Sequence, residues 1–245
     1  MSVAFTPSHR LPATFYFNYG RGISSQDARG VIEETSSPAI STTDFYQLGT
    51  SHRLKRFSVA TDLFLIDRSH EQVYIPDDGS IEFKGPSRSY GYEAKLSIQL
   101  TKYLAFNGGL TQVMNAFFRG TSPRVYVDSA PHTVANGGLT LSTVHGFTGS
   151  IGYRHIGNYR LDGEDASIRA SGLDVIDFSM KKSLRNWIDF NLSIDNLGNK
   201  RYFETQNYFE SRLSPGDPAV ARIHATPGYP FGVTAGLTFR WFRKN

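Results

Sequence analysis

TPGYPFGVTAGLTFRWF, residues 226–242, decides how the rest of this 245-residue chain is read. From Val233 the residues alternate without a slip. Val233, Ala235, Leu237, Phe239 and Trp241 are apolar, and Thr234, Gly236, Thr238 and Arg240 between them are small, polar or charged. Period two means a strand with one greasy face and one wet face. Placed near the C-terminus and ending in aromatics, it fits either the last strand of a soluble β-sandwich or the closing strand of an outer-membrane barrel.

Composition narrows the classes. Charged residues make up 20% of the chain and the mean hydropathy is −0.34. No apolar run approaches the ~18 residues a spanning helix needs, so a helical membrane protein is excluded. A β-barrel is not, because half of its residues face water or lumen. The 26 basic and 22 acidic residues are spread along the chain with no basic block, which speaks against a nucleic-acid partner. Cysteine is absent, so neither a disulfide framework nor a thiolate metal site is available. The opening MSVAFTPSHRLPATFYF has no charged and then apolar stretch, so it is not a secretory signal. An exported protein would then be represented by a mature form or a fragment.

Outward from the last strand, the same alternation recurs. Residues 1–12 carry two prolines and no period and read as an irregular lead-in. Strands are expected over 13–21, 42–54 and from 55 to about 66, then 90–101, 104–118, 133–143, 147–159, 174–182, 187–195 and 233–241. That makes about ten strands joined as a meander, with no helical period. VYIPDDGSIEF, residues 73–83, reads as a hairpin tip turning at Asp78-Gly79, and His145-Gly146 as a tight turn. Connections alternate in length: on the order of 12 to 28 residues after odd strands, about two to five after even ones.

That rhythm separates the two readings. Sandwiches have Greek-key crossings and mixed loops at both ends, whereas outer-membrane barrels have short turns on one rim and long loops on the other. About ten alternating residues at ~3.3 Å, tilted about 40°, rise ~25 Å, the height of a barrel's apolar band. Glu93, Lys95, Gln99, Asp177, Lys181, Asp189, Asn191 and Asp195 would line a hydrated lumen, and Trp187, Trp241 and Phe242 gather at the short-turn rim as an interfacial girdle would. The expected fold is all-β: an antiparallel up-and-down transmembrane β-barrel segment occupying residues 1–245 as a single unit.

With IDNLGNKRY (residues 194–202), then Gly228-Tyr229-Pro230 and GLTFRWF, the chain resembles the C-terminal part of the β-barrel of TonB-dependent outer-membrane receptors. Tyr46-Gln47-Leu48-Gly49 is similar to that family's Y-E-L-G strand, and Ser89-Tyr90-Gly91-Tyr92-Glu93 to its S-x-G-x-E strand. Ala130-Pro131-His132-Thr133 sits where an A-P segment leads into a strand. The resemblance covers nearly the whole chain and rests on the order and spacing of these motifs. It implies a barrel of about 22 strands with a plugged lumen. Such a barrel sits in the outer membrane of a bacterial cell, in contact with its lipid and with the barrel-assembly machinery. Energised through TonB, it imports a scarce ligand such as an iron chelate, cobalamin or a carbohydrate. Two departures stand out. The chain is expected to carry no plug domain and no TonB-contact segment, so both partners belong to an intact receptor. It also runs past the terminal aromatic to Arg243-Lys244-Asn245. Ten strands as an open sheet would expose two edges, which lipid does not tolerate. The sheet must close on itself, pair with missing strands, or be non-functional alone; a receptor fragment is the favoured reading. A self-contained small barrel acting as a pore or rim enzyme is the alternative, and a soluble sandwich a more distant one.

Candidate sites concentrate in the longest loop, KRYFETQNYFESRLSPGDPAVARIHATPGYP. Tyr202, Tyr208 and Phe209 mixed with Arg212, Arg222 and His224 suit an anionic or aromatic-bearing ligand, through stacking and charge-assisted bonds. Phe203 and Arg201 share the stretch, and Arg154 and Arg160 are similar candidates at the outer end of their hairpin. The seven histidines make no zinc spacing, and no metal or other cofactor is expected. Asp162, Glu164 and Asp165 in RLDGEDAS offer carboxylates that a rim hydrolase could recruit, and they read as a solvated loop rather than as catalytic residues.

Overall fold

The alternation around residue 233 is realised as a strand over Gly232–Phe239 at one edge of an eleven-stranded sheet. The structure is a computed structural model that describes residues 1–7, 12–26, 28–33, 38–74 and 81–241. In chain order the strands are β1 (Ser2–Phe5), β2 (Ala13–Ser25), β3 (Ile40–Arg53), β4 (Phe57–Arg68), β5 (Glu71–Tyr74), β6 (Ile81–Lys84), β7 (Ser87–Gln99), β8 (Leu104–Phe118), β9 (Thr133–Val144), β10 (Phe147–Ile156), β11 (Tyr159–Arg160), β12 (Arg169–Ala170), β13 (Leu173–Arg185), β14 (Ile188–Asp195), β15 (Phe203–Ser211), β16 (Val220–Pro227) and β17 (Gly232–Phe239). One short helix, α1 (Ala28–Glu33), lies in the first long connection. Six residues are too few for a helical period to show in the sequence.

The main sheet runs β1-β2-β3-β4-β7-β8-β9-β10-β13-β14-β17, each strand antiparallel to its neighbours. Among the described residues no second large sheet packs against it, which removes the sandwich reading. Ten of its strands are those read from the alternation. The eleventh corrects that reading: residues 1–12 are not wholly irregular, because Val3 and Phe5 pair with Phe17 and Phe15. Four residues between Met1 and Pro7 carry too little pattern to register. Hairpins β5–β6, β11–β12 and β15–β16 stand on the long connections. The Asp78-Gly79 turn expected between β5 and β6 lies outside the described residues. At the opposite rim, His145 (φ 48°) and Gly146 (φ 80°) form the tight turn between β9 and β10, the backbone pattern a two-residue hairpin needs.

Register makes the faces continuous. Phe57, Ile98, Phe106, Leu139, Ile151, Phe178, Ile194 and Val233 are successive cross-strand partners from β4 to β17. This apolar row starts at the short-turn end of β4 and finishes at the long-loop end of β17, so the strands are staggered, as a sheet curving toward a barrel requires. Leu139, Ile151 and Val233 on it are exposed. A protein in water would not leave such a row uncovered.

The row has an upper limit. Tyr19, Tyr46, Leu65 and Tyr90 are cross-strand partners on the apolar face, and the next partners toward the long-loop rim are Arg21, Asp44, Asp67 and Arg88. Asp44 and Asp67 lie opposite one another, a repulsive pairing. Each accepts two hydrogen bonds of 2.7 Å from its own arginine, Arg21 and Arg88. Aromatic rings giving way to paired charges is the pattern that barrel walls show at a membrane–water interface. From Phe57 to Asp67, ten residues of tilted strand rise ~25 Å, the thickness of the apolar band. At the lower limit Trp187 stacks on Phe239 at 6.1 Å, and the Lys182 ammonium sits 3.9 Å from the Phe147 ring centre, turned back toward water.

The other face is polar. Gln47 bridges Asn18 (2.9 Å) and Asp62 (3.0 Å), and the Tyr16 hydroxyl also donates to Asp62. Gly49 lies beneath this group: a Cβ there would fall 2.1 Å from the Asp62 carboxylate and 2.6 Å from the Tyr16 ring. The glycine of the Tyr46–Gly49 motif is thus a packing requirement of the inner wall. Asp189 is held by Lys181 and Arg240 near the short-turn rim. Between them the inner face forms a concavity of about 960 Å³ lined by Thr14, Ser51, Lys95, Ser97, Asn107 and Asn136.

Candidate ligand-binding surface on the long-loop rim

The longest connection begins and ends at one residue. Asn196 is 1% exposed and has a left-handed backbone (φ 50°) that turns the chain out of β14. Its side-chain amide donates to the carbonyls of Lys200 (2.8 Å) and Tyr229 (3.0 Å) and accepts from the Lys200 N–H (2.9 Å). Its own N–H donates to Asp177 at 2.8 Å. Asparagine suits the position because it tolerates φ > 0 and carries both a donor and an acceptor. The N-L-G-N-K-R-Y motif is therefore a clamp on both feet of the loop.

Tyr202 stands above this clamp with its ring flat against Gly228, where a Cβ would lie 2.2 Å from the ring, and the Gly228 N–H donates to the Tyr202 carbonyl at 2.9 Å. Gly228→Ala is expected to cost about 1–3 kcal/mol through this overlap. Adding Tyr202→Ala should recover part of the loss, and a double-mutant cycle on guanidinium midpoints measures that coupling.

From Phe203 the loop rises as the β15–β16 hairpin and folds against β11–β12. Gln206, 5% exposed, accepts from the Ser171 N–H (3.2 Å) and donates to the Ser171 carbonyl (2.8 Å). Beside it Tyr208 packs on a small core of Tyr159, Leu161 and Ala170, with Ile156 and Ile168. Arg154, projecting from the inner face of β10, donates two hydrogen bonds to Glu204 (2.9 and 3.0 Å), and Glu204 also accepts from the Tyr202 hydroxyl at 3.1 Å. The hairpin is thus tied to the wall it overhangs.

The Arg154 bonds hold the Glu204 carboxyl below its ordinary range, against the opposing effect of burial. A lowered folded-state value means the contribution is present above the ordinary carboxyl pKa of about 4.3 and is lost as pH falls through the lowered value. Acidification below about pH 4 should therefore loosen the hairpin, read as faster proteolysis within residues 203–227. Glu204→Gln should be loose already at neutral pH and show a flatter profile.

The seven candidate residues divide. Phe209, Arg222 and His224 share the hairpin's other face. Phe209 and Arg222 are cross-strand partners, and the Phe209 and His224 rings stack at 3.9 Å and 7°. Arg222 donates to the Ser211 carbonyl at 3.3 Å, while the His224 Nε2 is buried with no hydrogen-bond partner. Arg212 is exposed just beyond β15. Arg160 lies 4.4 Å over the Tyr126 ring on the neighbouring loop. Tyr202 and Tyr208 serve the loop's own packing. Sequence reasoning missed Glu204, Gln206 and Asn196. Only Asn196 carried a signal, its place in the IDNLGNKRY motif; the partners of the other two lie 50 and 35 residues away.

Next to the hairpin is a cavity of about 590 Å³ lined by Lys84, Asp128, Asp162, Glu164, Asp165 and Tyr208. Burial raises the Asp128 carboxyl and nearby Asp162 adds to it, while Lys84, 3.8 Å away, opposes them. Among the described residues no group of three or more histidine, aspartate or glutamate side chains is placed to hold a metal ion.

A family profile described as TonB dependent receptor-like, beta-barrel matches residues 2–239. No curated protein sequence matches the chain. Among solved structures, the ferric yersiniabactin uptake receptor FyuA from Yersinia pestis superposes with a TM-score of 0.75 at 14% identity, over 98% of this chain and 37% of its own. The siderophore receptor PiuA from Acinetobacter baumannii gives 0.71 at 16% identity over 97% and 35%. The ferric-catecholate import receptor Fiu from E. coli K12 gives 0.68 at 19% identity over 97% and 34%. The chain therefore spans a little over a third of the length of these structures.

Proposed function

Because the chain belongs to the TonB-dependent receptor-like β-barrel family, we propose that it forms part of the wall of a bacterial outer-membrane receptor and offers a ligand-contacting surface at the long-loop rim. The observation that carries this reading is the two-faced wall. Its apolar row from Phe57 to Val233 suits lipid, its other face is polar, and all long connections leave from one rim. The cargo is a scarce ligand, with an iron chelate ahead of cobalamin or a carbohydrate, because the similar structures include siderophore and ferric-chelate receptors. Phe209, Arg222 and His224 supply stacking and cationic contacts for an anionic chelate, with Arg212 and Arg160 beside them. Energisation through TonB, and a plug in the lumen, belong to the intact receptor.

The test is a titration of vesicle-inserted protein with ferric catecholate, ferric hydroxamate, cobalamin and a maltooligosaccharide, followed by fluorescence. One ferric chelate should bind. Arg222→Ala combined with Phe209→Ala should weaken it at least about tenfold, or ~1.4 kcal/mol. Binding of none of the four, or no change in the double variant, would sink this assignment of the surface.

A further inference from the structure

The apolar face of the wall has a gap near its short-turn end. The cross-strand partners there are Leu104, Leu141, Gly149, Met180 and Leu192. The next row toward the midplane, Phe106, Leu139, Ile151, Phe178 and Ile194, is bulky throughout. Gly149 therefore leaves a notch between Phe147 and Ile151 on its own strand. A Cβ at Gly149 would lie 3.0 Å from the Ser179 carbonyl oxygen, so the backbone of β13 closes the floor. The result is a groove of about 400 Å³ walled by Leu104, Leu141, Phe147, Ile151, Phe178 and Met180. It runs from Phe147 to Ile151, ~13 Å of strand and about half the apolar band.

A cation stands at the mouth of this groove. Lys182 is the cross-strand partner of Phe147, and its ammonium lies 3.9 Å from the ring centre. The ammonium donates to the His145 carbonyl at 2.7 Å, which fixes it beside the turn. A lysine ammonium has more donors than this one bond uses. The strand partners of Lys182 on either side, Phe147 and Phe190, are apolar. The rim around it is cationic as well. Arg53, Lys55, Arg56, Lys102 and Arg185 lie at the short-turn ends of the strands. Among the described residues the carboxylate of this rim is Asp189, on the polar face and already held by Lys181 and Arg240.

We propose that the notch at Gly149 seats one anionic phospholipid from the leaflet at the short-turn rim, which is the periplasmic leaflet for an outer-membrane barrel. This goes beyond the receptor reading and rests on its membrane wall. One acyl chain lies over Gly149 between Leu141 and Met180, and the phosphate meets the Lys182 ammonium. Charge selects the occupant. The groove by itself accepts any lipid tail through dispersion contacts. A fixed ammonium at its mouth, on a rim with surplus cations, favours a headgroup of net negative charge over a zwitterionic one. Free phosphate would make the same ammonium contact, but without the groove that contact is exposed and screened by salt.

The test uses protein inserted in phosphatidylcholine vesicles that contain about a tenth phosphatidylglycerol. The protein is extracted into mild detergent and its retained lipid is identified by native mass spectrometry, after flotation has verified insertion of each variant. Phosphatidylglycerol should be retained at one per chain, enriched at least about tenfold over its share of the bilayer. Lys182→Gln should abolish the enrichment. Met180→Trp, which fills the groove from its side and leaves the charge alone, should lower it by a similar factor. Lys181→Gln makes the same charge change on the polar face and should leave it intact. Retention of the two lipids in bilayer proportion, or enrichment that survives Lys182→Gln, would overturn the proposal. Enrichment that survives Met180→Trp would overturn the groove as the seat. Equal losses in Lys181→Gln and Lys182→Gln would reduce the effect to the overall charge of the rim and overturn the site. Failure of the unsubstituted protein to float with vesicles would instead overturn the membrane-wall reading beneath it.

Discussion

Ile151→Arg is expected to destabilise the membrane-inserted wall by roughly 2–4 kcal/mol, the cost of an arginine on the lipid face near the bilayer midplane. Ile151 sits midway along the β10 strand, inside the apolar row between Leu139 and Phe178. That side is opposite the polar face, and the nearest polar or charged groups along it are several residues off. These groups are His155 paired with Asp174 above and Lys182 below. The control is Thr140→Arg. Thr140 follows Leu139 directly, so its side chain takes the polar face beside Ser150. There the guanidinium meets water and the cost should stay within about 1 kcal/mol. Both variants are compared by guanidinium titration in lipid vesicles of the chain completed by the remaining barrel strands of a related receptor. Equal losses would mean that the two faces are assigned wrongly.

Asn196→Ala should have the other large effect, and a more local one. The amide makes three hydrogen bonds in a site that is 1% exposed, each worth about 1 kcal/mol. Its φ of 50° costs alanine roughly 1–2 kcal/mol more than asparagine. The sum is about 4–5 kcal/mol, borne by the feet of the last long loop rather than by the sheet. Cleavage within residues 200–229 by a dilute protease should accelerate sharply while the β14–β17 pairing keeps its hydrogen-exchange protection. Asn196→Gly keeps the backbone freedom and loses only the bonds, so it should fall between wild type and Asn196→Ala. Asn199, also left-handed (φ 46°), makes no comparable side-chain bonds, and Asn199→Gly should be close to neutral. A protease-resistant Asn196→Ala would remove the clamp role.

Side-chain alternation in a β-strand has a period of two whatever the strand's neighbours are. That is why the ten long strands, their faces and the long-short rhythm of the connections were legible in the residues. His145-Gly146 was legible for a similar reason, since a two-residue hairpin demands positive φ and these residues supply it. β1 was not legible: its four residues pair only because β2 offers an edge. Hairpin β15–β16 escaped notice because its strands mix aromatic and charged residues on both faces. Its stability comes from docking on Ser171, Tyr159 and Leu161, well away in sequence.

The candidate site divides along the same line. Composition drew attention to the last long loop, since rings and cations are visible residue by residue. It could not separate Tyr202 and Tyr208, which support the loop, from Phe209, Arg222 and His224 on its other face. The sequence by itself determined the strands, their two faces and the rim from which the long loops leave, because these follow from periodicity along one chain. Tertiary structure alone decided that Arg154 ties down Glu204, that Asn196 holds both feet of the loop, and that β1 adds an eleventh strand beside β2. Hydrogen-bond partners and strand count depend on which distant segments meet, and no local pattern encodes that.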